Sequence, residues 1–234
     1  MSSAGRLVLF DVDGTLLLTG GLAGAALGRA LATTFGRDLS IAGYSFAGKT
    51  DPQIVRELAS RAEVPSELVD AHLDDVFRSY LAELEDILAP GTVEVLPGVV
   101  ELLTALAVRR DTVVGLLTGN IAAGAAIKLR AAGLSGWFRL GAYGSDDADR
   151  NRLVAVARAR ALALTGEAFA GTSTVVVGDA EADVRCARAG GARAVAVCTG
   201  WTPRKALAAL EPDAILDSLA AASTLSALLD GDVP

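Results

Sequence analysis

The sequence predicts an α/β fold with a parallel sheet, its first strand followed by an inserted helical cap. Three observations carry this reading. Short β-branched or Leu-rich runs recur, each closed by a polar break and followed by a helical pattern, which is the signature of βα units. Residues 16–93 interrupt that rhythm and show helical periodicity with no convincing strand. The chain is 52% hydrophobic but only 5% aromatic, so its interior is built from Ala, Val and Leu.

The first strand is Leu7 to Phe10, an unbroken apolar run of the kind that is buried on both faces. In the insert, Leu22 to Phe35, Pro52 to Ala62 and Glu67 to Leu88 read as helices. Asp51 before Pro52 makes a good helix start, since a carboxylate caps free N–H groups and proline suits the first helical position. In the last of these helices Val69, Leu73, Val76, Phe77, Tyr80, Leu81, Leu84 and Ile87 form one apolar stripe. Gly20-Gly21, Pro90-Gly91 and Pro97-Gly98 bracket the insert as turns. Beyond it, strands are expected at Thr112 to Leu117, Thr174 to Val177 and Ala194 to Val197, with weaker ones at Phe138 to Ala142 and Ala214 to Leu216. Helices are expected at Val99 to Val108, Ala122 to Ala132, Leu153 to Leu164, Ala182 to Ala189 and Leu219 to Leu229. The division is therefore an α/β core of residues 1–15 and 94–234 and a helical cap of residues 16–93.

Composition excludes several functions. With 28 acidic against 21 basic side chains and a net charge of −7, the chain lacks the surplus Lys and Arg that a nucleic-acid partner requires. Its longest uncharged stretch, Thr112 to Ile127, carries Thr118, Gly119 and Asn120 in its middle, short of the about 20 apolar residues of a membrane span. No signal-peptide pattern is expected at the N-terminus, and a cytoplasmic location follows. Cys186 and Cys198 fit no disulfide framework or metal spacing and read as core residues. The single histidine, His72, reads as a solvent-facing helix residue.

Chemistry gathers where strands end, because in open parallel sheets the carboxyl ends face the ligand crevice. The first site is Asp11-Val12-Asp13-Gly14-Thr15, with both carboxylates on one side of an extended strand and a glycine allowing a sharp turn after them. Alone, this segment also reads as an ordinary Asp-Gly turn. The second is Gly178-Asp179 with Asp183, which alone reads as a helix cap. Two acidic clusters at two strand ends repel unless a cation neutralises them, which implies a divalent metal, and an all-oxygen ligand set favours Mg²⁺ over Zn²⁺. The third is Thr118-Gly119-Asn120, whose hydroxyl, amide and helix N–H donors suit a phosphate, although alone it reads as a helix cap and only the run of three strand-end sites shifts the balance.

Asp11-Val12-Asp13-Gly14-Thr15, the strand-end Thr118, and Gly178-Asp179 with Asp183 resemble motifs one, two and four of the haloacid dehalogenase superfamily, in their usual order. The helical insert resembles the cap of the branch containing phosphoglycolate phosphatase and phosphoglucomutase-like proteins. The resemblance covers nearly the whole chain. It implies a Rossmann-like core that transfers phosphate through a phospho-aspartate with Mg²⁺. Asp11 would be the nucleophile, and Asp13 the group that protonates the leaving oxygen and later deprotonates water. The ion would be held by Asp11, the Asp13 main-chain carbonyl and Asp179, with Asp183 either fixing a metal-bound water or taking a ligand position. Thr118 and the Gly119 backbone would hold phosphoryl oxygens, while Asn120 either contributes its amide or starts the helix.

The third family motif, commonly Lys before Pro, is missing. Asp149-Arg150-Asn151-Arg152-Leu153 stands in its region. Arg150 is the first choice for the cation contacting phosphate and Asp11, and Arg152 the second. Lys128 is expected to point away, since it follows Thr118 by about three helical turns, roughly 15 Å along the axis. In the cap, Lys49 reads equally as a substrate contact and as a solvated lysine before a helix. The expected function is a Mg²⁺-dependent phosphatase for a small phosphorylated, phosphoglycolate-like metabolite. The alternatives are a phosphoglucomutase-like phosphotransferase and a non-catalytic binder of phosphorylated metabolites. Dehalogenases lack a second aspartate, so Asp13 favours phosphate chemistry. Oligomeric state is not legible.

Overall fold

The structure is a computed structural model and describes residues 5–229. In chain order the elements are β1 (Arg6–Phe10), β2 (Leu17–Leu18), α1 (Leu22–Phe35), α2 (Asp51–Arg61), α3 (Ser66–Ile87), β3 (Glu94–Val95), α4 (Val99–Ala107), β4 (Thr112–Thr118), α5 (Ala122–Ala131), β5 (Leu140–Tyr143), α6 (Leu153–Thr165), β6 (Thr174–Gly178), α7 (Glu181–Ala189), β7 (Arg193–Val197), α8 (Arg204–Ala208), β8 (Ala214–Leu216) and α9 (Thr224–Leu229). Short 3₁₀ turns precede α6 and β6.

Six strands form one parallel sheet in the order β5-β4-β1-β6-β7-β8. This is the Rossmann-like architecture expected. The apolar run of β1 is fully buried and its side chains alternate between faces. Val8 and Phe10 join the apolar cluster that includes Leu102 and Leu103 of α4. Leu7 and Leu9 join the opposite cluster with Val154, Ala157 and Ala161 of α6. Helices thus cover both faces, and β1 lies in the centre between β4 and β6.

The three long helices between β1 and β4 lie as expected, with boundaries shifted by one residue at most in α2 and α3. Val69, Val76, Tyr80 and Leu84 are the fully buried centre of the α3 stripe, flanked by half-buried Leu73, Phe77, Leu81 and Ile87. This face packs on α1. One expectation is corrected: residues 16–93 do contain a strand. Leu17 pairs antiparallel with Val95 and Leu18 with Glu94, joining the chain that leaves β1 to the chain that returns. Two residues are too few to show a period. The expected C-terminal helix from Leu219 is also shorter and begins at Thr224, after turns in which Ser218 accepts a hydrogen bond from the N–H of Ala220. Cys186 is buried, Cys198 is half-buried and His72 sits on α3 hydrogen-bonded to Asp75. Among the described residues no helix is long and apolar enough to cross a membrane.

Candidate active site

Because β4, β1 and β6 are neighbours, their carboxyl ends bring the three predicted sites together. The chain leaves β1 with the Asp11 N–H donating to the Val177 carbonyl at 2.9 Å, and turns at Gly14, whose φ is +85°. A Cβ at Gly14 would come within 2.5 Å of the Asp179 carboxylate, so a glycine is needed both for the left-handed backbone and for the close approach.

Asp11, Asp179 and Asp183 are buried and offer one carboxylate oxygen each, all within 4.8 Å of one another. Arg150 lies among them. Its Nη2 is 3.1 Å from Asp11 Oδ1 and donates to Asp183 Oδ1 and, at 3.4 Å, to the Leu117 carbonyl. The Ala180 N–H donates to Asp183 Oδ2 at 2.9 Å, and the Thr15 hydroxyl to Asp179 Oδ1 at 3.1 Å. Burial, reinforced by Asp11 and Asp183, pushes the Asp179 carboxyl up to about 8. Burial also pushes Asp183 up to about 7, against the lowering influence of Arg150.

A second network holds Asp13. Lys128 Nζ donates to both its carboxylate oxygens, at 2.9 and 2.7 Å, and to Asn120 Oδ1 at 2.6 Å. Asn120 Nδ2 donates to Asp13 Oδ2 at 2.7 Å and to Thr118 Oγ1 at 2.8 Å. The expectation that Lys128 points away is therefore corrected. The helix begins only at Ala122, which puts Lys128 six residues in, about 9 Å along the axis. Its side chain then leans back toward the helix N-terminus, as helical side chains do. Arg152, by contrast, is 72% exposed and pairs with Asp147 at 3.4 Å, outside the site.

The insert reaches the same place. The Asp51 N–H donates to the Gly119 carbonyl at 2.7 Å, and the Thr50 hydroxyl donates to the Ala148 carbonyl at 2.9 Å. A Cβ on Gly119 would lie 2.0 Å from the Lys49 carbonyl oxygen, so only glycine permits this contact. Asp51 does not cap its own helix. Thr50 does, accepting from the Gln53 N–H at 3.3 Å, while Asp51 Oδ2 accepts the Ile121 N–H ahead of α5 at 2.8 Å. Its carboxyl is pushed up to about 6 by burial, against the opposing influence of Lys128. Asp51 is a site residue that sequence reasoning assigned to the wrong helix.

Most of these groups, Asp11, Asp13, Asp179, Lys128 and Arg150 among them, line a cavity of about 440 Å³, while Asp183 stands outside its lining. Lys49 also lines it, with Nζ 2.5 Å from Glu57 Oε2 and 4.3 Å above the Tyr44 ring. The carboxylate set fits a hard divalent cation. Three buried acids against one guanidinium leave a deficit of positive charge, and every donor is oxygen.

The model of the haloacid dehalogenase-like hydrolase family matches residues 8–188. No curated protein matches the chain in sequence. Among solved structures, a predicted phosphoglycolate phosphatase from Haemophilus somnus is similar with a TM-score of 0.70 at 20% identity, over 97% of this chain and 99% of that one. CbbY from Rhodobacter sphaeroides, in complex with phosphate, gives 0.69 at 22% identity over 96% and 99%. A predicted phosphatase from Clostridium acetobutylicum gives 0.69 at 16% identity over 93% and 95%. With a family match spanning most of its length and its strand-end carboxylates gathered at one cavity, this chain belongs to the haloacid dehalogenase-like hydrolases.

Proposed function

We propose that the chain is a Mg²⁺-dependent phosphatase that hydrolyses a small phosphomonoester through a phospho-aspartate on Asp11, with residues 16–93 as its cap. The observation that carries this reading is the separate holding of two carboxylates at one end of the cavity. Asp11 faces Arg150 and the acidic cluster, whereas Asp13 is turned to Lys128 and Asn120. One is thereby set beside groups that attract a phosphoryl group, and the other beside the place where the ester oxygen leaves.

A carboxylate oxygen of Asp11 attacks phosphorus, the bond from phosphorus to the ester oxygen breaks, and Asp13 gives that oxygen its proton. Water then attacks the same phosphorus and releases Asp11 as its carboxylate, while Asp13 takes the proton from the water. Arg150 faces charge on both Asp11 and the transferred group. Thr118, with its hydroxyl beside Asn120, and the Gly119 backbone supply donors for phosphoryl oxygens. Asp11, the Asp13 carbonyl, Asp179 and Asp183 would hold Mg²⁺, which when bound neutralises charge on the phosphoryl oxygens. The contacts from Lys49, Thr50 and Asp51 to the loops after β4 and β5 let the cap cover the reacting groups and exclude water. The likeness to a phosphate-bound structure supports the same reading.

Hydrolysis of p-nitrophenyl phosphate by the purified protein, with Mg²⁺ and with a chelator, is the direct test. Activity is expected with Mg²⁺ alone, and Asp11→Asn is expected to lose on the order of a thousandfold or more. An Asp11→Asn protein that retains full turnover would overturn the assignment.

A further inference from the structure

Among the described residues, no cation that lines the cavity is free for a second anion, and Arg61, 4.8 Å from the Tyr44 ring, is not part of the lining. Three cations line the cavity, and each is already paired. Arg150 lies against Asp11 and Asp183, Lys128 against Asp13, and Lys49 against Glu57. The last pair is the one nearest the cap wall, and it is held more firmly than an isolated surface pair. Glu57 Oε2 also accepts the Tyr44 hydroxyl at 2.9 Å, and Glu57 Oε1 accepts Gln53 Nε2 at 2.7 Å. Burial raises the Glu57 carboxyl, but these hydrogen bonds outweigh it and hold the group below the ordinary glutamate range.

The wall itself is mainly apolar. Leu27 of α1, Ile41 and Phe46 of the following loop and Ile54 of α2 line it, and its polar groups, the hydroxyls of Thr19, Tyr44 and Ser45, are uncharged. Gly24 leaves room there, since a Cβ would meet the Phe46 ring at 3.3 Å. Trp201 stands at the rim, 65% exposed. Asp51, on the core side of this space, is itself acidic, and the Tyr80 phenol near it is held uncharged by burial. A carboxylate or second phosphate placed here would lose its water and gain no free cation, which is costly.

We propose that the substrate is a phosphomonoester of an uncharged, largely apolar alcohol, bound with that alcohol against the wall formed by α1 and the Ile41–Phe46 loop. This rests on the phosphatase reading and makes it more specific. It separates the chain from enzymes of phosphoglycolate, whose alcohol carries a carboxylate, and from mutases, which must seat a second phosphate. A volume of about 440 Å³ takes the phosphoryl group and a small aliphatic or aromatic alcohol.

Benzyl phosphate and phosphoglycolate are both esters of primary alcohols and provide a matched comparison. The wild-type protein with Mg²⁺ is expected to show a kcat/KM for benzyl phosphate about tenfold or more above that for phosphoglycolate. Glu57→Gln frees Lys49, so it is expected to raise kcat/KM for phosphoglycolate by roughly threefold or more and leave benzyl phosphate unchanged. A readout independent of turnover uses the non-hydrolysable benzylphosphonate and phosphonoacetate, with benzylphosphonate raising the melting temperature more. Equal or better turnover of phosphoglycolate overturns the proposal. So does a larger shift with phosphonoacetate, or no shift with either phosphonate. Should neither ester be hydrolysed while the phosphonates keep the expected order, the phosphatase reading fails and the assignment of the wall stands.

Discussion

Asp13 is gripped by two donors that come from one stretch of chain, Asn120 just before α5 and Lys128 within it. In the proposed mechanism Asp13 first gives and then takes a proton, which depends on its oxygen staying within hydrogen-bond reach of the leaving group. Replacing Lys128 by Met removes the stronger grip without changing the length of the side chain much. We expect kcat to fall roughly 10- to 100-fold with KM within about threefold, because positioning and not affinity is lost. The drop is expected to be larger in kcat/KM for an alkyl phosphate than for p-nitrophenyl phosphate, whose leaving group needs little protonation. Equal losses on the two esters would mark Lys128 as merely structural. Arg150 differs, since it sits buried between Asp11 and Asp183. Arg150→Met leaves those carboxylates uncompensated and is expected to cost about 3–5 kcal/mol of stability as well as activity, read by urea unfolding. Of these residues Asp11, Asp13 and Asp179 were legible because they stand where apolar runs end, and Asp183 because it follows Asp179 in the first turn of the next helix. Lys128 was not, because where a lysine's end group lies depends on where its helix begins and how its side chain curls back.

Core strands and long helices were readable from period and punctuation, since each buries a face wide enough to leave a pattern over many residues. What escaped are elements defined by partners distant in the chain. The β2–β3 ribbon exists because the two connections to the insert meet, and α8 is a five-residue helix after Pro203. Asp51 is the instructive case. Its position before Pro52 resembles a cap, yet the side chain serves Ile121, seventy positions away. That hydrogen bond joins α2 of the insert to the start of α5, and with the Asp51–Gly119 and Thr50–Ala148 bonds it fastens one element to another over the cavity. Asp51→Ala would leave the buried Ile121 N–H without a partner and is expected to destabilise by ~1–3 kcal/mol. Asp51→Asn keeps an accepting oxygen and is expected to lose less. Chemical denaturation of the two variants checks the order, and equal losses would show that the carboxylate's charge, not its hydrogen bond, does the fastening.

For the molecule as a whole, the acidic cluster ties folding to pH and, on the proposed reading, to a metal ion as well. Asp179 and Asp183 lie near 8 and 7 in the folded protein against an ordinary 3.8, mainly through burial. Between those values the folded chain holds protons that the unfolded chain has released, so stability falls as pH rises. The contribution is fully present below pH 3.8 and is lost as pH passes through 7 and 8. Groups held low, such as Asp146 beside Arg160 and Glu57 beside Lys49, act in the opposite sense. They do so only at acid pH, below the ordinary carboxylate range, and so outside this window. A divalent ion bound by the same oxygens must displace those protons, and it therefore binds more tightly as pH rises. Melting curves taken with a chelator and with millimolar Mg²⁺ should then diverge, the gap at pH 8 exceeding that at pH 6 by about twofold or more. Carboxylates elsewhere in the fold affect both curves alike and cancel in the difference. Asp179→Asn should remove the divergence, because it deletes both a ligand and a titrating proton. A gap that stays constant across this range, or closes at high pH, would place the ion on other groups and take with it the argument that three buried acids are tolerated here for the sake of a cation.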